Sequence, residues 1–173
     1  MQPSGRISAI LSSAGPLQIV IPRKSAQFLS AATRLAHSLN VYYKLDSNIL
    51  DAEEAQASLQ GGSLGTGNIV VIGDENNVFL DGLLTDGRTP WRLRGGKLTL
   101  NGRSLKDGLS AMFLHPHPIS SEGLTLVMYA ESGLDLERIL RLFPLRTGLA
   151  IPDWIIVSKR ADMTGAGGVE GAG

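Results

Sequence analysis

Four small or polar residues that directly follow an apolar run are the first candidates for binding chemistry. Gly73, Asp74, Asn76 and Asn77 come after the sequence NIVVI, which is typical of a buried strand. Ligands of open α/β sheets bind at the carboxyl ends of strands, where carboxylate and amide groups can orient a polar molecule. We therefore expect a small-ligand pocket here. The alternative is a turn followed by a helix cap that uses Asp74 or Asn76.

Two histidines form the second candidate group. His115 and His117 stand one residue apart in the segment HPHPISSEG, and two imidazoles can ligate zinc when a third ligand comes from another part of the chain. The remaining histidine is His37, and Pro116 and Pro118 interrupt strand geometry. We therefore predict a structural turn and no metal site, and we keep both histidines as candidate residues of the ligand pocket.

Serine hydrolase chemistry lacks its usual sequence signature in this chain. No Gly-x-Ser-x-Gly motif is present, and Ser104, in NGRSLKDG, has a lysine where the second glycine would stand. The glycines of GGSLGTG precede an apolar run instead of following it, which indicates a connector and not a dinucleotide loop. Asp46 and Asp153 are interpreted as turn or cap residues. We predict no catalytic residue and no cofactor.

Hydrophobic periodicity predicts the elements that must position these residues. Apolar runs predict strands at 17–21, 68–72, 110–114, 124–129 and 154–157. Helical spacing predicts helices at 25–43, 51–59 and 134–142, the first of them with Ser25 as N-cap. Residues 76–83 are expected to form a helical turn, and Gly95-Gly96 between 90–94 and 97–100 predicts a β-hairpin. The strand at 110–114 is expected to end where the His-Pro-His-Pro segment begins.

The order of these elements predicts the fold class. Strands alternate with helices in the first half of the chain, and the later strands lie closer together in the sequence. This pattern favours an α/β fold of three layers, with a mostly parallel sheet, helices on both faces and an inserted β-hairpin. We assign residues 1–162 to a single domain. Residues 163–173 are rich in glycine and are expected to form a flexible tail.

Composition limits the classes of partner. The 173 residues carry 16 basic and 16 acidic side chains, and this neutral total argues against a nucleic-acid binder. No apolar run reaches the roughly 20 residues of a membrane helix. Cysteine is missing, which excludes disulfides and thiolate chemistry. The first 16 residues make a poor signal peptide. A cluster of cations is interpreted as a solvated hairpin; it consists of Arg88, Arg92, Arg94, Lys97 and Arg103.

Several segments, taken in order, resemble one known kind of domain. They are SSAGPLQIVIP, SAATRLAHSLNVYYKLD, GNIVVIGDENN, the stretch from LTLNGRS to VMYAES, and GLAIPDWIIV. Over about residues 13–160, the chain resembles the accessory α/β domain found beside the α/β-hydrolase module of large prolyl-oligopeptidase-like peptidases and esterases, including fungal ones. The matching positions are 68–73, 115–118 and 151–153. His117 stands where the family more commonly has Asn between the two prolines.

The resemblance implies a chain that catalyses nothing by itself, because the family's triad belongs to the neighbouring hydrolase module. It implies packing on that module in cis or in trans, shaping of substrate access, or oligomerisation with a second copy. It also implies a secreted parent protein. A small-ligand-binding domain with its pocket at the end of strand 68–72 is the second hypothesis. The third is an independent hydrolase that uses His115, His117 or Asp74.

Overall fold

The elements of the molecule alternate between strand and helix through its first half. The computed structural model describes residues 7–74, 76–143, 153–158 and 169–172, beginning with a 3-10 helix at Ile7–Leu11. The α-helices are α1 (Ala26–Tyr43), α2 (Ala52–Gln60), α3 (Val78–Leu84) and α4 (Gly133–Leu140). The strands are β1 (Leu17–Ile21), β2 (Ser47–Asp51), β3 (Ile69–Gly73), β4 (Trp91–Arg94), β5 (Lys97–Leu100), β6 (Arg103–Ser104), β7 (Ser110–Pro116), β8 (Leu124–Tyr129), β9 (Trp154–Val157) and β10 (Val169–Ala172).

Seven of these strands form one sheet in the order β10-β9-β7-β8-β3-β1-β2. Strands β2, β1, β3 and β8 run parallel to one another. Strands β7, β9 and β10 pair antiparallel at the other side of the sheet. A second, antiparallel sheet contains β4, β5 and β6. The chain therefore has a mixed α/β fold in which four adjacent strands form a parallel block.

The parallel block includes one strand that the sequence did not predict. Ser47–Asp51 forms β2 and pairs in register with all of β1, from Leu17↔Ser47 to Ile21↔Asp51. Its sequence, SNILD, is short and has only two strongly apolar residues, so periodicity does not predict a strand. The acidic residues that follow predict the start of the next helix instead. Asp51 ends the strand and also caps α2, where its side chain accepts a hydrogen bond from Glu54 N at 2.8 Å.

Strand β7 continues further than predicted, through His115 and Pro116. The expectation that it ends before the His-Pro-His-Pro segment is wrong for a local reason. The amide of Leu114 donates to Asp153 O at 2.9 Å, at the start of β9. Two residues later, Pro116 faces the same side, beyond the point where β9 begins. A proline is tolerated there because none of the described strands needs its missing amide.

Part of the predicted tail belongs to the main sheet. Val169–Ala172 forms β10 and pairs antiparallel with β9, with a register shift between Val169 and Gly171. Backbone pairing with an existing edge strand provides order that a glycine-rich composition alone does not predict. Residues 163–168 and 173 of the predicted tail lie outside the described residues.

Alternate side chains of the central strands enter two different apolar cores. The first core holds Ile19 and Ile21 of β1, with the buried faces of α1, α4 and the 3-10 helix. The second core holds Val20, with buried residues of α2, α3 and the small sheet. Strands with apolar side chains on both faces are typical of parallel sheets. Among the described helices, none has the length and apolarity needed to cross a membrane.

Candidate functional site

The two predicted groups of site residues lie at opposite ends of the main sheet. Gly73 is in register with Tyr129 of β8, whereas His115 pairs with Thr125, which is in register with Ile69. Ile69 and Gly73 lie four residue steps apart along β3, a distance of about 13 Å. The structure therefore does not bring His115 into a pocket with Gly73, Asp74, Asn76 or Asn77. We call the end where β1, β2, β3 and β8 finish the carboxyl edge, and the opposite end the amino edge.

At the carboxyl edge, Gly73 allows three chain segments to pack closely. A Cβ at this position would lie 2.9 Å from Asn77 Nδ2 and 3.2 Å from Pro22 Cγ. The adjacent residue, Asp74, is buried and accepts a hydrogen bond from Asn76 N at 3.0 Å. Its other carboxylate oxygen lies 3.7 Å from Arg23 Nη1. Arg23 and Asp74 thus form a partly exposed ion pair at the predicted position of the pocket.

Asn77, also at the carboxyl edge, is a structural residue. It is fully buried, and its Oδ1 accepts a hydrogen bond from Leu80 N at 3.0 Å, as the N-cap of α3. Its Nδ2 donates to Ile72 O at 3.3 Å. Both ends of the amide are therefore engaged by the backbone, which agrees with the cap interpretation, although the cap is Asn77 and not Asp74 or Asn76.

At the amino edge, His117 fastens the loop between β7 and β8. Its Nε2–H donates to Gly67 O at 3.2 Å, and its Nδ1 accepts hydrogen bonds from Ile119 N at 3.1 Å and Ser120 N at 2.9 Å. Burial lowers the pKa of this imidazole below its ordinary value of 6.5. The ring is therefore neutral and both of its nitrogens are occupied, as in the predicted structural turn.

Asn68, next to this loop, has a structural role that the sequence analysis missed. It is buried, and its Nδ2 donates to Ile10 O at 2.9 Å while its Oδ1 accepts from Leu124 N at 2.9 Å. Its backbone amide donates to Ser13 Oγ at 2.9 Å. One side chain thus joins the 3-10 helix, β3 and β8. The sequence signal for this role is a polar amide side chain directly before a fully apolar strand.

His115 belongs to a different polar cluster, which links β7 to the segment after α3. Its Nδ1 lies 2.8 Å from Pro116 O and its Nε2 lies 3.2 Å from Asp86 Oδ1. Burial lowers the pKa of the fully buried ring, and this effect outweighs the opposing influence of the Pro116 carbonyl and Asp86. A neutral imidazole has one N–H for these two acceptors, so one of the contacts lacks a proton.

Arg88 joins the two histidines. Its Nη1 donates to His117 O at 3.0 Å and lies 3.9 Å from Asp86 Oδ2. A cleft of about 200 Å³ adjoins Asp86 and Arg88, with Leu59, Phe79 and Pro118 among the residues that line it. The sequence predicts that Arg88 belongs to a solvated hairpin and does not single out Asp86. Their contact with His115 depends on how the segment after α3 folds back over β7.

The other residues considered for chemistry lie apart from these groups. Ser104 is exposed on β6, and Asp153 is exposed at the start of β9. Asp46 is exposed and accepts a hydrogen bond from Asn40 Nδ2 at 3.1 Å. The glycines of 61–67 connect α2 to β3, as predicted. In the part of the chain that the structure describes, no group of three His, Asp or Glu side chains could hold a metal ion.

Comparison with known proteins gives one partial match. A segment of 66 residues, 38% of this chain, is 35% identical to an uncharacterized secreted protein of Arthroderma benhamiae. The match covers 7% of that relative's length, so the matched segment corresponds to a small portion of a much longer protein. No family model matches the chain. No solved structure matches it either.

Proposed function

We propose that this chain is a non-catalytic accessory domain of a larger, secreted protein. The proposal depends mainly on one observation: the candidate polar side chains make hydrogen bonds to the protein's own backbone. Asn77 caps a helix, and both ring nitrogens of His117 hold a loop. Side chains that bond to their own backbone in this way stabilise the fold and leave little chemistry for a substrate. The much longer secreted relative is consistent with a domain of a larger protein.

A serine hydrolase is the parent protein that we propose. This step depends on the sequence resemblance to accessory domains of prolyl-oligopeptidase-like peptidases and esterases. In that setting, the domain packs on the catalytic module in cis or in trans, shapes the access of substrate, or oligomerises. Function on such a surface requires a stable scaffold, and two apolar cores that share one sheet provide it.

We also propose that the fold has three layers, with the β4–β5 hairpin as an insertion. The buried residues of α1 and α4 belong to the first core, and those of α2 and α3 belong to the second. Helices on opposite faces of one sheet make three layers. The antiparallel β4–β5 pair, joined through Gly95-Gly96, occurs between α3 and β7 and would be the insertion.

Activity-based labelling of the purified chain tests the proposal. We expect no mass increase after treatment with a fluorophosphonate probe and no hydrolysis of a p-nitrophenyl ester above buffer. A known serine hydrolase treated in parallel shows that the probe is reactive. Labelling of a single serine together with turnover would overturn the proposal and favour the independent hydrolase. Ser104→Ala is the first variant to examine in that case, because its side chain is exposed.

A small-ligand-binding domain is the second candidate. It is favoured by the order of the strands in the main sheet, which creates a candidate binding position at the carboxyl edge. The connections leaving β1 and β3 move in opposite directions across the sheet, and ligands bind at such a reversal in open α/β sheets. The Arg23–Asp74 ion pair lies there, with the Arg23 side chain 58% exposed. A thermal-shift screen with nucleotides, sugars and metal ions should raise Tm if this candidate is correct, and Asp74→Ala should abolish the shift.

A further inference from the structure

The cations of this neutral chain are unevenly distributed. Residues 88–107 hold six of the sixteen basic side chains and one carboxylate, Asp107, so this segment carries a net charge of +5. The remainder of the chain carries −5, because the total is zero. The segment contains the whole of the small sheet, β4 to β6. A concentration of charge on one small element points to an electrostatic surface.

The pairing of β4 with β5 brings three of these cations to one face. Arg94 is directly opposite Lys97, and Arg92 is opposite Thr99, so all three cations lie on the same side of the pleat. We call Arg92, Arg94 and Lys97 the basic face. The opposite side holds Trp91, Leu93, Leu98 and Leu100, which pack on the second core. The cations thus lie on the side opposite these apolar residues, where Arg94 and Lys97 are exposed, Arg92 is half-buried and Thr99 is buried.

Only part of the charge on the basic face is neutralised. Lys97 Nζ lies 2.7 Å from Asp107 Oδ1, and Glu131 adds a weaker attraction to the same lysine. Arg92 donates hydrogen bonds to the carbonyls of Thr89 and Trp91, which are uncharged. The Arg94 side chain is exposed and has no hydrogen bond or ion pair with any described residue. Like charges directly opposite each other in a sheet are unfavourable, which an anionic partner would relieve.

The backbone holds the basic face in a preformed geometry. Both connections of the small sheet are two-residue turns with positive φ: 57° and 76° at Gly95 and Gly96, and 52° and 80° at Asn101 and Gly102. Such turns match the twist of the strands they join. Because Trp91 is 2% exposed and packs on the other side, the backbone of the small sheet needs little further ordering when a partner binds.

We propose that the basic face binds an acidic protein surface. Single-stranded nucleic acid favours a groove with exposed aromatic rings, whereas Trp91, the aromatic residue of the small sheet, is buried. A long polyanion would also meet the net −5 of the remaining chain. A compact acidic patch on a neighbouring protein avoids that repulsion. The inference extends the proposed accessory role, since it identifies the face and the chemistry of the partner.

Fluorescence anisotropy with an oligoglutamate peptide tests this surface in the full chain. We expect salt-sensitive binding that weakens by about tenfold in the variant R92Q/R94Q/K97Q, because exposed charge pairs contribute modestly but add up. The control K24Q/R34Q/K44Q removes the same amount of charge elsewhere: Lys24 precedes α1, Arg34 lies within it and Lys44 is its C-cap. This control should bind like the wild type. Equal weakening in both variants would overturn the proposal.

A single substitution and a second anionic ligand give two further tests of the basic face. Arg94→Glu removes no side-chain hydrogen bond or ion pair with a described residue, so it tests the surface even if the triple variant fails to fold, and it should weaken peptide binding. An oligothymidylate of equal charge should bind less tightly than the peptide, and tighter binding would overturn the assignment to a protein partner. Loss of peptide binding leaves the fluorophosphonate result unaffected, so this inference and the accessory role fail separately.

Discussion

At the scale of single residues, the two histidines of the His-Pro-His-Pro segment have different environments. His117 has each ring nitrogen matched to a backbone partner of the opposite hydrogen-bonding type. His115 faces two acceptors, Pro116 O and Asp86 Oδ1, with one proton in its neutral form. Protonation of His117 would place an N–H against two amide donors, whereas protonation of His115 would satisfy both acceptors. The loop held by His117 is therefore the more acid-sensitive part.

Acidification should lower the stability of the fold. Burial holds the pKa of both His115 and His117 below 6.5, so the unfolded chain binds protons first as the pH decreases. The stability contributed by the neutral rings is full above pH 6.5 and is lost as the pH falls through their folded pKa values. Urea unfolding should therefore give a smaller free energy of unfolding at about pH 5 than at about pH 7.5.

The variant His117→Ala isolates the contribution of one ring to this effect. It leaves the amides of Ile119 and Ser120 without their acceptor, and it should lower the free energy of unfolding by about 2 kcal/mol at neutral pH. It should also reduce the loss on acidification. His37→Ala, at an exposed position of α1, is the matched control and should change stability by less than about 0.5 kcal/mol. An equal acid response in both variants would contradict the role of His117.

At the scale of elements, the small sheet is attached to the main sheet by aromatic packing. Trp91 of β4 stacks on Phe113 of β7, with ring centroids 4.3 Å apart and planes inclined by 7°. Trp154 of β9 meets the same indole edge-on, at 6.1 Å. These contacts place the polar segment 86–88 over His115. They also keep the basic face on the side opposite the packed apolar residues, so one packing contact supports two features of the surface.

Trp91→Ala should detach the small sheet from β7 and β9. Removal of a fully buried indole costs about 3–5 kcal/mol, since it loses apolar burial and leaves a cavity. Urea unfolding should show this loss, and the near-UV circular dichroism of Trp154 should change because its ring partner is gone. Ser104→Ala, at an exposed position of the same sheet, is the control. A loss no larger than that of the control would show that the stacking contributes little.

At the scale of the whole molecule, the two cores share the same strands. Ile19 and Val20 are neighbours in β1 but pack in different cores, and Val70 and Val71 of β3 alternate in the same way. Neither core can lose its strands without exposing the other. We therefore expect the described residues to unfold as one cooperative unit, since apolar burial on both sides depends on the same central sheet.

Thermal unfolding should accordingly show a single transition. Tryptophan fluorescence reports on the second core, where Trp91 and Trp154 pack, and far-UV circular dichroism is dominated by α1 on the first core. Both signals should give the same Tm, because small single domains unfold in an all-or-none manner. Two separate midpoints would contradict the expectation of one domain. Repeating the measurement at a second heating rate shows whether the two Tm values still agree when unfolding is given more or less time.

Predictions of the fold succeeded where the local signal agreed with the tertiary environment. The strand at 17–21, the helix capped by Ser25 and the strand at 124–129 are present where the apolar pattern placed them. Strand β2 was missed, because SNILD has little apolar character and depends on β1 for its hydrogen bonds. Strand β10 was missed for the same reason, since its partner β9 orders it from outside.

The candidate site shows the same division. The sequence identified Asp74, Asn77, His115 and His117 as unusual polar residues, and each of them is buried. It could not show that they lie at opposite edges of the sheet, because direction in a sheet depends on how strands pair. It also could not select Asp86 and Asn68, whose contacts come from residues 29 and 56 positions away in the chain.

The sequence by itself determined the α/β class, most of the strands and helices, and the accumulation of positive charge in residues 88–107. These properties depend on spacing and composition, which short-range physics reads directly. Only the tertiary structure decided which polar residues meet, which of them are occupied by backbone groups, and which way the cations face. Those outcomes depend on strand order and register, and these are set by long-range pairing and burial that a local pattern does not contain.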